Sequence, residues 1–243
     1  MIEVKNVFAW YDETPVLNGF TMNANSGEVI ALIGKNGTGK TTIFRSILNQ
    51  MPRKSGTVLV NGTDISNTPT HRIHACGVGF VPQGRGLFEE FSVGDHFKLF
   101  KLPRQIFKQR LSEVKERFPI VDRRWNQLAG TLSGGEAKQV SLALANIAPA
   151  KVVLLDEPTA NLSQKAFSIV ADCIDHWTRE GVCIVIVEHN LDFVLRVADR
   201  VHVIERGESI LEATPFELQK DNKRILRDMF GFDSRTSTNE LRN

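Results

Sequence analysis

Apolar and polar residues alternate with period two from Ile2 to Val7, and more weakly from Phe20 to Ala24, which predicts antiparallel strands wet on one face. Asp12, Pro15, Asn18 and Gly19 read as the turn residues between them. The pattern then changes. Glu28 to Ile33 is a nearly unbroken apolar run, followed by a glycine-rich loop and a helical stretch from Lys40 to Asn49, the order of a buried strand, a loop and a covering helix. Gly77 to Val81, Lys151 to Leu155 and Val182 to Val187 repeat the buried-strand signature. Between the last two, Phe167, Val170, Ile174 and Trp177 recur at helical intervals within Gln164 to Glu180. Parallel strands joined by covering helices follow. After Asp199 the pattern gives a strand from Arg200 to Glu205, a turn at Gly207 and a short helix from Pro215.

The segment from Val93 to Gly130 reads as helical throughout and is richer in Lys and Arg. Phe107, Leu111, Val114 and Phe118 lie on one helical face, with Pro103 placed to open that helix and Pro119 to close it. This is the pattern of a helical insertion, residues 93–130, in an α/β core spanning 1–230; its charges read as a solvated face. Residues 231–243 form a polar tail expected to be frayed. Thirty Lys and Arg against 28 Asp and Glu leave a charge of +2, so the balance gives no pull toward nucleic acid or anionic lipid. Three cysteines, Cys76, Cys173 and Cys183, have neither CxxC nor metal-site spacing and read as reduced core residues. No apolar run approaches the ~18 residues of a membrane span, and the N-terminus lacks a signal-peptide layout. The expectation is a soluble, cytosolic chain that can dock on a membrane protein.

Three motifs carry chemistry. Gly34-Lys35-Asn36-Gly37-Thr38-Gly39-Lys40-Thr41 fits G-x-x-x-x-G-K-[ST] between a buried strand and a helix start. Its glycines let backbone amides wrap a polyphosphate, Lys40 reaches the β- and γ-phosphates, and the Thr41 hydroxyl is offered to Mg²⁺. Val152 to Leu155 ends in Asp156 and Glu157, whose side chains diverge at the strand end; Asp156 can join the magnesium shell while Glu157 faces a water. Taken alone these could be two solvated acids, but the phosphate loop favours the functional reading. Ser133 and Glu136 form an S-x-x-E capping box, which alone is an ordinary helix start. Gly134 and Gly135 are poor choices for a first helical turn, and make sense where a second anion approaches bare amides. Two phosphate sites that cannot serve one nucleotide imply two chains sandwiching two nucleotides.

In this order the motifs resemble those of the nucleotide-binding subunit of an ATP-binding cassette (ABC) transporter, over residues 1 to about 230. The resemblance implies an α/β fold of P-loop NTPase type, a mostly parallel sheet flanked by helices, with an N-terminal antiparallel β part and a helical insertion. It implies ATP and Mg²⁺, and hydrolysis coupled to opening and closing of a head-to-tail dimer that drives membrane partners. By position, Gly34 to Thr42 is the Walker A loop, Gln83 the Q-loop glutamine, Leu132 to Glu136 the signature, Asp156 the Walker B acid, Glu157 the catalytic carboxylate and His189 the switch histidine. Tyr11 matches the aromatic that stacks on adenine. His189 follows a strand at the edge where α/β proteins bind ligands, which favours contact with the γ-phosphate. Gln83 is either a plain loop amide or a sensor of metal and attacking water.

Asn61 to Ile65, Val81 to Arg85 with Phe88, Arg117-Phe118-Pro119 and Ala129 to Glu136 resemble importer ATPases for branched-chain amino acids and amides such as urea. That branch implies a second copy or paralogous ATPase, two integral permease subunits contacting Gly84 to Phe91, an extracytoplasmic solute-binding protein, and a peripheral place on the inner face of the cell membrane. Departures from the family pattern are Ala137-Lys138-Gln139 after the signature, Leu144 in place of an arginine, and Ala160-Asn161-Leu162-Ser163 at the D-loop. Two other readings stay open: a cytosolic accessory ATPase of cluster-assembly type, and a weakly active nucleotide-dependent regulator.

Overall fold

The computed structural model describes residues 1–160, 162 and 164–221. In chain order the strands and helices are β1 (Ile2–Tyr11), β2 (Thr14–Ala24), β3 (Val29–Ile33), α1 (Lys40–Ile47), β4 (Arg53–Val60), β5 (Thr63–Asp64), β6 (Val78–Val81), α2 (Val93–Lys98), α3 (Arg104–Arg117), α4 (Pro119–Arg123), α5 (Gly134–Ile147), β7 (Val152–Asp156), α6 (Gln164–Arg179), β8 (Cys183–Val187), α7 (Leu191–Val197), β9 (Arg200–Glu205), β10 (Glu208–Ala213) and α8 (Pro215–Asp221). They form an antiparallel sheet of order β2-β1-β4-β5 and a six-stranded sheet of order β10-β9-β3-β8-β7-β6. The second sheet is parallel except for β10, which turns back along β9. The α/β expectation holds. The boundary expected near residue 230 and the polar tail lie outside the described residues.

All residues of β3, β7 and β8 are buried, because both faces of the parallel sheet are covered. Side-chain alternation divides each strand between two cores. Val152 and Leu154 join α1 and the antiparallel sheet through Phe20, Phe44 and Val58, while Val153 and Leu155 join α5 and α6 through Val140, Leu142 and Trp177. Ala31 and Ile33 pack with Leu191, Val194 and Leu218 in a third group. Cys173 and Cys183 are buried free thiols, pushed up to about 12 by burial, and Cys76 is half-buried.

Two local readings are corrected. Pro15, Asn18 and Gly19 lie inside β2, not in a turn; Gly19, at φ 79°, is skipped in the pairing of Val7 with Phe20 and Phe8 with Asn18, so it forms a bulge. Pro15 is tolerated because β2 is an edge strand. The 93–130 segment is three helices, not one continuous helical stretch. Its chain returns at Gln127, whose carbonyl accepts Val93 N. Phe118 closes α3 and Pro119 takes the first turn of α4, so the proline both stops one helix and starts the next. Finally, β4, β5, β10 and α7 are elements beyond those expected.

The parallel register gathers the chemistry at one edge. Asp156 pairs with Val187, Leu155 with Val81, and Leu32 with Val187, so the carboxyl ends of β3, β6, β7 and β8 lie side by side. From those ends spring the loop at Gly34, the Gln83 segment, Glu157 and the Glu188-His189 turn.

Candidate functional site

The loop between β3 and α1 is shaped by close backbone approach. A Cβ on Gly34 would stand 2.4 Å from the Ile204 carbonyl, and Gly39 caps α1 at φ 105°, a conformation other residues adopt at a cost. Lys40 is buried and turns back into the loop, its Nζ donating to the Gly34 and Lys35 carbonyls at 2.7 and 2.8 Å. Burial pushes Lys40 below the usual lysine range, opposed by the charges of Glu157 and Asp156. No side chain caps α1 and no acid occupies its first turn, so its leading amides carry no side-chain partner and its positive end is unopposed. Thr41 is exposed and Thr42 buried on that turn, while Asn36, Gly37 and Thr38 form the outer part of the loop.

Glu157, the residue after β7, has φ 44°, a strained backbone for a non-glycine residue. Its two oxygens have different neighbours: Gln83 Nε2 donates to Oε2 at 2.7 Å, and His189 Nε2 lies 3.0 Å from Oε1. Gln83, Glu157 and His189 thus form one connected group. Asp156 is 4% exposed, and its Oδ1 is buried without a hydrogen-bond partner. Burial, then the charge of Glu157, raises its carboxyl to about 6, against Lys138, Arg45 and Lys40. A partnerless carboxylate oxygen beside the phosphate loop fits a hard divalent cation such as Mg²⁺, which takes oxygen ligands.

The signature segment has the opposite kind of helix start. Ser133 Oγ accepts Glu136 N, the Glu136 carboxylate accepts Ser133 N at 2.9 Å, and Arg124 Nη2 pairs with Glu136 at 3.0 Å. A Cβ on Gly134 or Gly135 would meet nothing within 4 Å, so packing inside this chain requires neither glycine. Tyr11 stands exposed at the end of β1, its hydroxyl accepting Arg45 Nη1 at 2.8 Å. Of the D-loop positions, Asn161 and Ser163 lie outside the described residues.

Sequence reasoning missed two buried charges here. Glu188 is 2% exposed and accepts Thr159 N, Thr159 Oγ1, His189 N and Asn190 N. It pins the turn after β7 to the turn carrying His189. Lys138 is 3% exposed on α5. The signal for Glu188 was available, since an acid directly after six apolar residues leaves a buried strand with a charge at its tip.

Residues 17–160 match the family model described as ABC transporter. The chain belongs to that family. It is 31% identical to the lipopolysaccharide export system ATP-binding protein LptB of Escherichia coli K12 over 96% of this chain and 98% of that one. It is 29% identical to the high-affinity branched-chain amino acid transport ATP-binding protein BraG of Pseudomonas aeruginosa, over 95% and 99%. Among solved structures, cbiO1 of Clostridium perfringens, part of the ABC transporter complex cbiONQ, superposes with TM-score 0.77 at 29% identity, covering 93% of this chain and 94% of that one. As an ABC transporter ATP-binding subunit, the chain binds and hydrolyses ATP to power transport, and such subunits dimerise and work with membrane permeases. Among its described residues no helix is long and apolar enough to cross a membrane.

Asp156 yields a pH signature. Its folded carboxyl, at about 6, lies above the unfolded value of 3.8, so the folded state holds the proton longer. That contribution is complete below the unfolded value and is lost as pH rises through about 6. Denaturant titrations of the nucleotide-free chain from pH 4 to 7 are expected to contain this falling limb, and Asp156→Asn is expected to lack it.

Proposed function

We propose that this cassette hydrolyses ATP at two composite sites, each built from the Gly34–Thr42 loop of one chain and the Ser133–Glu136 cap of another. The observation that carries the reading is the Glu157 carboxylate, held by Gln83 and His189 at the edge where the phosphate loop opens. Tyr11 offers a ring to the adenine. Lys40 exchanges the Gly34 and Lys35 carbonyls for phosphate oxygens, and the uncapped start of α1 adds its amides. Thr41 and Asp156 would hold Mg²⁺, with Gln83 beside them. Bound there, the metal supplies Lewis-acid neutralisation of phosphate charge. Glu157 orients a water and takes its proton, while His189 fixes the carboxylate and faces the γ-phosphate. The bare amides at Gly134 and Gly135 reach the partner's nucleotide, which explains glycines that this chain's own packing does not require.

For cargo, we propose a branched-chain amino acid or a related small polar solute such as urea, carried inward with two permeases and a solute-binding protein. The motifs around Gln83 and Phe118 and the likeness to BraG support it; the likeness to LptB favours lipopolysaccharide export as the second reading. In either case the cassette would sit on the cytoplasmic face of the membrane. The proposed permease contact is a groove of about 680 Å³ lined by Phe80, Pro82, Phe88, His96, Leu144 and Ala148. Phe88 is 63% exposed there. Its loop is held by His96, whose Nε2 accepts Phe88 N at 2.9 Å and whose Nδ1 donates to the Ser92 carbonyl. Leu144, where the family usually has arginine, extends the apolar wall.

Glu157→Gln is expected to lower ATP turnover by ~10² or more while leaving nucleotide binding intact, on the scale of a lost general base. Phosphate release and equilibrium binding check it; undiminished hydrolysis refutes the assignment. Replacing Gly134 and Gly135 together by Ala should leave the thermal midpoint unlowered but reduce turnover by roughly 10², since added methyls stand between the cap and the partner's phosphates. Full turnover in that variant would rule out the composite site. A tagged chain purified from detergent-solubilised membranes should bring down integral permeases, identified by mass spectrometry as importer or exporter type. Phe88→Asp should release them without loss of ATP binding, and retained permeases would place the contact elsewhere.

A further inference from the structure

The geometry points to Lys138 as a positioning residue for Glu157, a cation fixed under the site that holds Gln83 and the carboxylate group in register from the signature helix. The inference rests on the ATP-hydrolysing reading above. Lys138 lies in the second turn of α5, 3% exposed, and its Nζ donates to the Pro82 carbonyl at 3.3 Å. One long hydrogen bond does not offset the withdrawal of an ammonium from water; buried charges persist where opposite charges answer them. Three carboxylates do so here. Burial holds Lys138 below the usual lysine range, against the charges of Glu188, Asp156 and Glu157 in that order. Seen from Asp156, Lys138 is the foremost opposing cation, ahead of Arg45 and Lys40.

The two buried lysines differ in freedom. Among the described residues Lys40 is bonded to the Gly34 and Lys35 carbonyls of the phosphate loop and can follow a phosphate that enters it. Lys138 is rooted in a helix packed against α2, α3, α4 and α6, and the carbonyl it holds belongs to the residue just before Gln83. A proline has no N–H, so this carbonyl is the one backbone group through which Pro82 can be tethered. The tether fixes the peptide from which Gln83 springs, and Gln83 Nε2 in turn fixes Glu157 Oε2 at 2.7 Å. Without the ammonium, Pro82 is released and Asp156 loses its foremost opposing cation. Glu157 then loses its aim, while ATP still finds the loop at Gly34.

The test compares Lys138→Met, Lys138→Gln and Lys138→Arg with the unaltered chain and Glu157→Gln. Steady-state Mg-ATP hydrolysis, thermal midpoints and amide hydrogen exchange of the nucleotide-free full chain are measured. Met and Gln are expected to lower kcat about tenfold or more with KM within about twofold, as for misaligned catalytic groups, and Arg is expected to restore most of kcat. Exchange across Pro82 to Arg85 should rise in the Met variant while its midpoint holds, because an apolar chain of similar length suits the buried site. Unchanged kcat in Met, full activity in Gln, or a loss in Met that follows a fallen midpoint and is not rescued by Arg would each overturn the role of the charge. Unchanged exchange would overturn the tether. Exchange does not depend on turnover. If the unaltered chain lacks Glu157-dependent hydrolysis, the ATPase reading falls while exchange still judges Lys138.

Discussion

Carboxylates at the end of a fully buried parallel sheet have little water to stabilise them, and the chain must answer each one with donors or cations. Glu188 is answered completely, by two groups of Thr159 and the amides of His189 and Asn190. Glu157 is answered by Gln83 and His189, and Asp156 is left with a partnerless oxygen. This gradation matches the proposed roles: the satisfied acid braces the turns, Glu157 is the proposed base, and Asp156 has the oxygen that would take a cation. The same sheet sets their spacing, since β7 and β8 advance in register to Asp156 and Val187 before diverging. A substitution that shifted either strand by one residue would reverse which faces the side chains occupy and scatter all three acids.

The two helix starts at the site meet anions in contrasting ways. α1 begins on Gly39 with no capping side chain and no acid in its first turn, so its positive end remains available. α5 begins on a complete capping box whose Glu136 is further tied to Arg124. A helix start already satisfied within its own chain suits the tip proposed above to meet a partner's nucleotide. Glycine at the two positions after the cap keeps that tip free of side chains.

Strands buried on both faces were readable because burial erases alternation: Val29 to Ile33, Val152 to Leu155 and Val182 to Val187 could be little else. The phosphate loop, the paired acids and the capping box were readable because each is local in sequence. What escaped depends on neighbours distant in sequence. β4 begins with Arg53, Lys54, Ser55 and Gly56, a polar run that is a strand only because β1 supplies its partners. β10 is half exposed along its length and rests on its pairing with β9. Gly19 and Pro15 signal a turn locally, and an edge strand with a bulge overrides them. Lys138 was visible only as part of a departure from the family pattern after the signature, and its burial near Glu188, Asp156 and Glu157 comes from the fold.

Helix α5 links these observations physically. Its cap faces outward at Ser133, Lys138 turns inward to the Pro82 carbonyl, and Ser141, Ala145 and Ala148 continue the Lys138 stripe at helical intervals into the groove where Phe88 is exposed. Ser133 and Leu144 are separated by about 16 Å along the axis, three turns of one rigid rod. The same rod thus carries the cap, the contact to the Pro82–Gln83 peptide and part of the groove wall. In the proposed composite site, the nucleotide at the tip, the aim of Glu157 and the permease contact would all depend on this one helix. Leu144 fits this arrangement: an apolar side chain in place of arginine joins the groove wall without adding a second buried charge to a helix that already carries Lys138.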